Sequence, residues 1–237
     1  MWQSLRAWVL LKYPYGEKGA VIHCLTDLYG RQSYFIPSVK SKSGSMRPSF
    51  LQPMTPLVIT VNMRGKEGLE RLKEVRLYHP FQTLHSHPTK QISLFFIAEL
   101  LHGLFKEQTD QSDLWDFIFN KLKALDQEQA DPHFALFMLV HLCTFAGYGL
   151  FDHASLANPK FTEREPFVLS MGEKTIAGEE ALLLFGLIEA QAEDLKNIKS
   201  QSRTRRNLMD QLLAFLNSNN DSMPKLKSLE VLRECME

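Results

Sequence analysis

The sequence predicts an α+β, multi-domain chain: an N-terminal five-stranded OB-type barrel followed by a mostly α-helical domain. Three observations carry this. Up to about residue 80 the apolar residues fall in short β-branched or aromatic segments separated by turn residues. From residue 88 onward apolar residues recur at spacings of three and four. The charge divides at the same place. Residues 1–82 hold 12 Lys and Arg against 5 Asp and Glu, an excess of seven positive charges. The other 155 hold 15 against 22, so the 237-residue chain sums to zero. A basic domain and an acidic one suit different partners, and the basic one suits a polyanion.

The strand segments are 5–13 (LRAWVLLKY), 20–26 (AVIHCLT), 31–36 (RQSYFI), 57–63 (LVITVNM) and 72–79 (LKEVRLYH). The first two turns, PYGEKG and DLYGR, each contain a Gly where a positive φ is easiest. Five strands in about 80 residues match a small Greek-key barrel of the OB type, and an SH3-like barrel fits the same periodicity. The first helix is expected over 89–107, behind Pro88, with a face of Ile92, Phe95, Phe96, Glu99, Leu100, Gly103 and Leu104. A second begins at a Ser112 or Asp113 cap and buries Leu114, Trp115, Ile118, Phe119, Leu122 and Leu125. A third follows Asp131-Pro132 and ends near Gly147. An irregular insert at about 149–176, with one small hairpin around Phe167-Val168-Leu169, precedes helices at 179–192, 204–217 and 228–236. The expected domains are thus 1–80 and 81–237.

Several function classes find no support. There is no G-x-x-x-x-G-K-[ST] phosphate loop, dinucleotide fingerprint, H-E-x-x-H or G-x-S-x-G elbow, so the expectation is a non-enzyme without cofactor. Cys24, Cys143 and Cys235 fit neither a disulfide framework nor zinc spacing, and a reducing cytoplasm is the expected home. His85-Ser86-His87 has no acid or thiol beside it and reads as solvated. The apolar run 7–11 is broken by Lys12 and Tyr13-Pro14 well short of a signal peptide or membrane span.

What stands out is the stretch 36–53, IPSVKSKSGSMRPSFLQP, with Lys40, Lys42 and Arg47 and no acid. A loop of this composition can follow a phosphate backbone, with Ser and Gly allowing close approach. The same domain carries Trp8, Tyr13, Tyr15, Tyr29, Tyr34, Phe35 and Phe50. Taken singly, each is a core residue by default; together with the loop they point to stacking on unpaired bases. In the acidic half the densest cationic spot beside an apolar helix is Arg203, Arg205 and Arg206, a candidate surface for an acidic partner, though an ordinary solvated helix start is the plainer reading.

The order of motifs resembles the N-terminal domain of the RecO family of bacterial DNA-repair mediators. It runs from a Y-x-E turn (Tyr15, Glu17), through a strand into "LT" and then "G-R" (Gly30, Arg31), to the basic loop and "LQP" (residues 51–53). Near the other end, "NLMDQLLAFLNSN" followed by "LKSLEVLRE" is similar to the family's closing segment. The resemblance implies an OB-fold domain and a helical domain. It also implies binding of single- and double-stranded DNA, annealing of complementary strands, and contact with the C-terminal tail of single-strand-binding protein. With RecR, such proteins help load the RecA recombinase, in the bacterial cytoplasm at the nucleoid. The phosphate-binding role carries over to Lys40, Lys42 and Arg47, and further to Arg31. Many relatives carry two C-x-x-C pairs after the third helix of the bundle. Here that stretch, GYGLFDHASLANPKFTEREPFVLS, has no cysteine, so no zinc is expected. A protein-interaction or RNA-binding scaffold on the same barrel is the alternative reading.

Overall fold

A computed structural model describes residues 2–17, 19–36, 47–62, 70–106, 109–148, 167–168, 175–221 and 223–235. The chain forms two compact units, Met1–Asp126 and Gln127–Glu237. In the first, β1 (Trp2–Tyr15), β2 (Gly19–Thr26), β3 (Gly30–Ile36), β4 (Pro56–Asn62), β5 (Glu70–Arg71) and β6 (Glu74–Leu77) form one sheet in the order β5-β3-β2-β1-β4-β6. β5 and β6 belong to one segment interrupted at Leu72-Lys73. Its start pairs parallel with β3, its end pairs antiparallel with β4, and the Lys73 N–H donates to the Thr60 carbonyl (3.0 Å) between them. The fifth expected strand is realised as β6 within 72–79, and the segment it shares with β5 touches both sheet edges and closes the barrel in OB fashion. Gly16 and Gly30 take φ of 62° and 58° at the two tight turns, as the turn composition predicts.

Inside the barrel, Leu5, Ala7 and Val9 of β1 meet Ile22 and Cys24 of β2, Tyr34 and Ile36 of β3, and Leu57, Ile59 and Val61 of β4. One irregularity in β1 matters for everything outside the barrel. Val9 pairs with Cys24 but Leu11 pairs with His23, so Leu10 is an extra residue in a bulge. Side chains alternate along a strand, so the extra residue exchanges the faces. Before the bulge the even residues Arg6 and Trp8 point outward; after it the odd residues Leu11, Tyr13 and Tyr15 do.

The outward half-strand before the bulge is covered by α1 (Pro88–Leu104) and α2 (Ser112–Gln127). Trp8, fully buried, stacks on Trp115 with centroids 5.0 Å apart, and Tyr78 and Phe119 pack against the same indole. Arg6 lies over Trp115 (4.3 Å) and donates from Nε to Asp27 (2.8 Å), with Asp116 as its other acid. Asp126 accepts the backbone N–H groups of Gln82, Thr83 and Leu84 (3.0, 2.7 and 3.1 Å), which fastens the strand-to-helix connection. The change from strands to helices comes near residue 80 as expected, yet the compact unit continues to Asp126 because two helices pack on the barrel. The buried residues of α1 are Lys90, Ser93, Leu94, Phe96, Ile97, Ala98, Leu100, Leu101 and Gly103. Phe96, Leu100 and Gly103 of the expected stripe are among them, whereas Phe95 is exposed.

The second unit contains α3 (Phe134–Phe145), a two-stranded pairing of β7 (Phe167–Val168) with β8 (Thr175–Ile176), α4 (Gly178–Glu189), a 3-10 segment at Ala192–Asn197, α5 (Ser202–Asn219) and α6 (Leu229–Cys235). The hairpin expected around residue 167 is this pairing. Nine of the twelve residues of α3 are buried, so this helix is the centre against which α4 and α5 pack. His133 ties its start to the start of α5: its ring meets Asp131 (2.9 Å) and Ser200 Oγ (2.8 Å).

Candidate nucleic-acid interface

The outer face of β1, β2 and β3 beyond the helical cover holds the functional candidates. Tyr15 is 60% exposed and meets Phe35 edge-on at 5.4 Å. Gly19, paired with Tyr15, makes this possible, because a Cβ there would lie 2.9 Å from the Phe35 ring. Tyr13, 49% exposed, meets His23 edge-on at 5.4 Å, and His23 in turn meets His102 of α1 at 5.2 Å. Ser33 Oγ lies 3.1 Å from His23 Nδ1. At the start of β3, Arg31 Nη1 donates to the His102 carbonyl near the end of α1 (2.5 Å).

The electrostatics of this face are set by burial and by cations. Burial, then Arg31, His23 and Lys106, push His102 down to about 4. Burial and Arg31 lower His23, and burial lowers Arg31. Both imidazoles are therefore neutral at pH 7, with the fixed charge residing on Arg31 and Lys106.

The two ends of the basic loop are anchored in the barrel, since Ile36 and Leu51 are both core residues. Lys40 and Lys42 lie outside the described residues. Arg47 is exposed and extended (φ −86°, ψ 140°) at the entrance to the 3-10 turn Pro48–Leu51. β3 runs from Arg31 to the point where the loop leaves, a length of about 17 Å. Phe35 and Ser33 stand on its outer face between them, with Tyr13 and Tyr15 alongside on β1.

Of the seven aromatics singled out in the sequence, Trp8 and Tyr34 are buried. Tyr29 and Phe50 pack on the core, Phe35 is half-buried, and Tyr13 and Tyr15 are open to solvent. Sequence reasoning passed over His23 and His102, which are 79 residues apart and carry no shared motif. His85 is half-buried with Nε2 3.5 Å from Thr55 Oγ1, and His87 precedes α1 as its N-cap. No three metal-ligating side chains come together among the described residues. Cys24 and Cys143 are buried, their thiols pushed up by that burial, to about 12 for Cys143.

In the second unit, Arg203, Arg205 and Arg206 have different surroundings. Arg203 is exposed. Arg205 is buried, donating to the Ser200 carbonyl (2.7 Å) and to the Ser200 and Ser202 hydroxyls (both 3.2 Å). Arg206 is half-buried and donates to the Arg233 carbonyl of α6 (3.2 Å). Helical spacing explains the divergence: residues two apart point about 200° away from each other.

Barrel and helical region together define a protein with an OB-type N-terminal domain and a helical C-terminal domain, and comparison with known proteins makes that class specific. Residues 1–81 match the family model described as Recombination protein O N terminal, and residues 85–230 match Recombination protein O C terminal. The chain belongs to the RecO family. It is 27% identical over 236 residues to the DNA repair protein RecO of Christiangramia forsetii, covering 97% of both chains. It is 28% identical to that of Flavobacterium psychrophilum over 231 residues, again covering 97% of both. With that of Bacteroides fragilis it shares 26% over 238 residues, covering 95% of this chain and 96% of the relative. No helix among the described residues is long and apolar enough to cross a membrane.

Proposed function

We propose that this chain is a non-catalytic DNA-repair mediator that binds single- and double-stranded DNA through its barrel and anneals complementary strands. With RecR it helps load the recombinase onto DNA coated by single-strand-binding protein. Family membership and the names of the relatives support the DNA-repair part. The observation that carries the binding mode is the continuity of one face: the basic loop leaves β3 at Ile36, exposed Tyr15 and Tyr13 follow, and Arg31 stands at the other end. Cations take the phosphates and open aromatic rings take unpaired bases, the combination that single-strand binding needs.

Replacing Lys40, Lys42 and Arg47 together by Ala is the direct test. Binding of a labelled oligonucleotide weakens, and the slope of log affinity against log salt flattens by up to about three units, near one per lost phosphate contact. A folded triple variant with unchanged affinity and slope removes the loop from the interface. For the acidic tail of single-strand-binding protein, the start of α5 remains the proposed surface. It rests on Arg203 and on the outer edge of Arg206, because Arg205 is committed to Ser200 and Ser202. Titrating a labelled tail peptide against Arg203→Ala checks it, and equal affinities move the site elsewhere.

A further inference from the structure

The geometry points to a phosphate subsite on the outer face of the barrel, formed by Arg31, His23, His102 and Lys106, that holds a phosphodiester of the DNA strand and takes up protons as it does so. It rests on the nucleic-acid reading of this face and deepens it. Three elements converge to build the cluster: β2 brings His23, β3 brings Arg31 and Ser33, and α1 with the residues after it brings His102 and Lys106. The two rings stand edge to face at 5.2 Å, and the Arg31 guanidinium is fixed beside them by the His102 carbonyl. That carbonyl is the one hydrogen-bond partner of the Arg31 side chain among the described residues, whereas a guanidinium carries five N–H donors. Arg31, His23 and His102 are half-exposed and Lys106 is exposed, so a strand on the sheet face can reach all four.

The charges acting on the rings are all of one sign. Arg31 acts on His23, and Arg31, His23 and Lys106 act on His102. Tyr13 on β1 and Ser33 on β3 are the polar neighbours of His23, and Glu99 stands one turn before His102 on α1. Imidazoles lowered first by burial and then by neighbouring cations are relieved by an anion. A phosphate suits this cluster, since its oxygens can accept both from a guanidinium and from two imidazolium N–H groups. The site lies where a strand stacked on Tyr15 and Tyr13 would pass next, which favours a phosphodiester as its source.

Proton linkage follows with a definite sign. An anion held against the exposed edges of the rings favours their charged forms and raises their pKa above the free values, so binding takes up protons and strengthens as pH falls. The gain levels off below the free value of His102, about 4. Its upper bound is about tenfold per pH unit for each imidazole that titrates.

The experiment uses the full chain and a labelled oligothymidylate at constant ionic strength from pH 7.5 to 5.5. It compares wild type, His23→Gln/His102→Gln, and the Lys40, Lys42, Arg47 triple Ala variant. Alongside, NMR follows the imidazole titrations of wild type free, with oligothymidylate and with inorganic phosphate. Wild type is expected to tighten as pH falls. The loop variant should bind more weakly yet keep that dependence, the double His variant should lose it, and both imidazole pKa values should rise with the oligonucleotide. Equal pH dependence in the double His variant, or imidazole titrations unmoved by either anion, overturns the subsite while leaving DNA binding intact. A rise with inorganic phosphate alone overturns the assignment to a DNA strand and makes the site one for free phosphate. Failure of wild type to bind any oligonucleotide sinks the functional reading instead. The NMR arm needs no variant, so a misfolded double His variant leaves the test decisive.

Discussion

Truncating Tyr15 and Tyr13 to Ala, singly, separates stacking from charge on this face. With 60% and 49% of their surfaces exposed, these rings contribute little core area. The edge contact of Tyr15 with Phe35 is its main packing interaction, so truncation costs the fold about 0.5–1.5 kcal/mol. Stacking of a base on an aromatic ring is worth about 1–3 kcal/mol by Ala substitution, or roughly fivefold to 150-fold in Kd. The two rings are two residues apart on one strand, about 7 Å, which offers each a different base. Fluorescence anisotropy with an oligothymidylate and with a duplex, each at several salt concentrations, reads the outcome. Both variants should weaken single-strand binding by these factors, spare duplex binding, and leave the salt slope unchanged because no charge is lost. Single-strand affinities within twofold of wild type in both variants would falsify the stacking role. A flattened slope would show that the rings act by positioning cations.

Trp8→Ala empties a fully buried site under Trp115 and should destabilise the first unit by about 3–5 kcal/mol, read as a lower denaturation midpoint in urea. For Asp126, burial opposes ionisation, but the N–H groups of Gln82, Thr83 and Leu84 and the Thr83 hydroxyl outweigh it and hold the pKa below its usual value. A lowered folded-state pKa gives stability that is present above the unfolded value near 4 and lost as pH falls through the folded one. Asp126→Asn should therefore lower stability at pH 7 and flatten its decline below about pH 4, as measured by urea denaturation across that range. Of the three thiols, Cys235 is partly exposed whereas Cys24 and Cys143 are buried. A thiol reagent should modify one cysteine promptly in the native chain and three in denaturant.

The strands were legible because each is a short apolar segment between turn residues, and Gly16 and Gly30 adopt the positive φ their positions imply. The helices were legible from spacing, and the position of α2 and its buried Leu114, Trp115, Ile118, Leu122 and Leu125 match the predicted stripe. The face of α1 was legible only in Phe96, Leu100 and Gly103, because its residues are apolar nearly all round and the direction of the barrel is not written in the helix. Trp8 and Tyr13 look alike as members of one strand, and only the bulge and the helical cover send one into a core and the other into solvent. The same holds for Arg205, whose burial depends on Ser200 and Ser202, although the spacing of 203, 205 and 206 already implied different faces. His23 and His102 come together only when α1 lies on the sheet.

The bulge at Leu10 gives β1 two vocabularies. Up to Val9 its outward positions are written in the language of folding, and substitutions at Arg6 or Trp8 should be felt by the helices. Beyond it, outward positions face solvent and are free to be tuned for a ligand. A map of mutational sensitivity along this strand should thus fall away beyond position 10, since residues 12–15 are all exposed. In that sense the extra residue works as an insulator: the open half of the face can drift toward new ligands while the covered half stays under selection for stability.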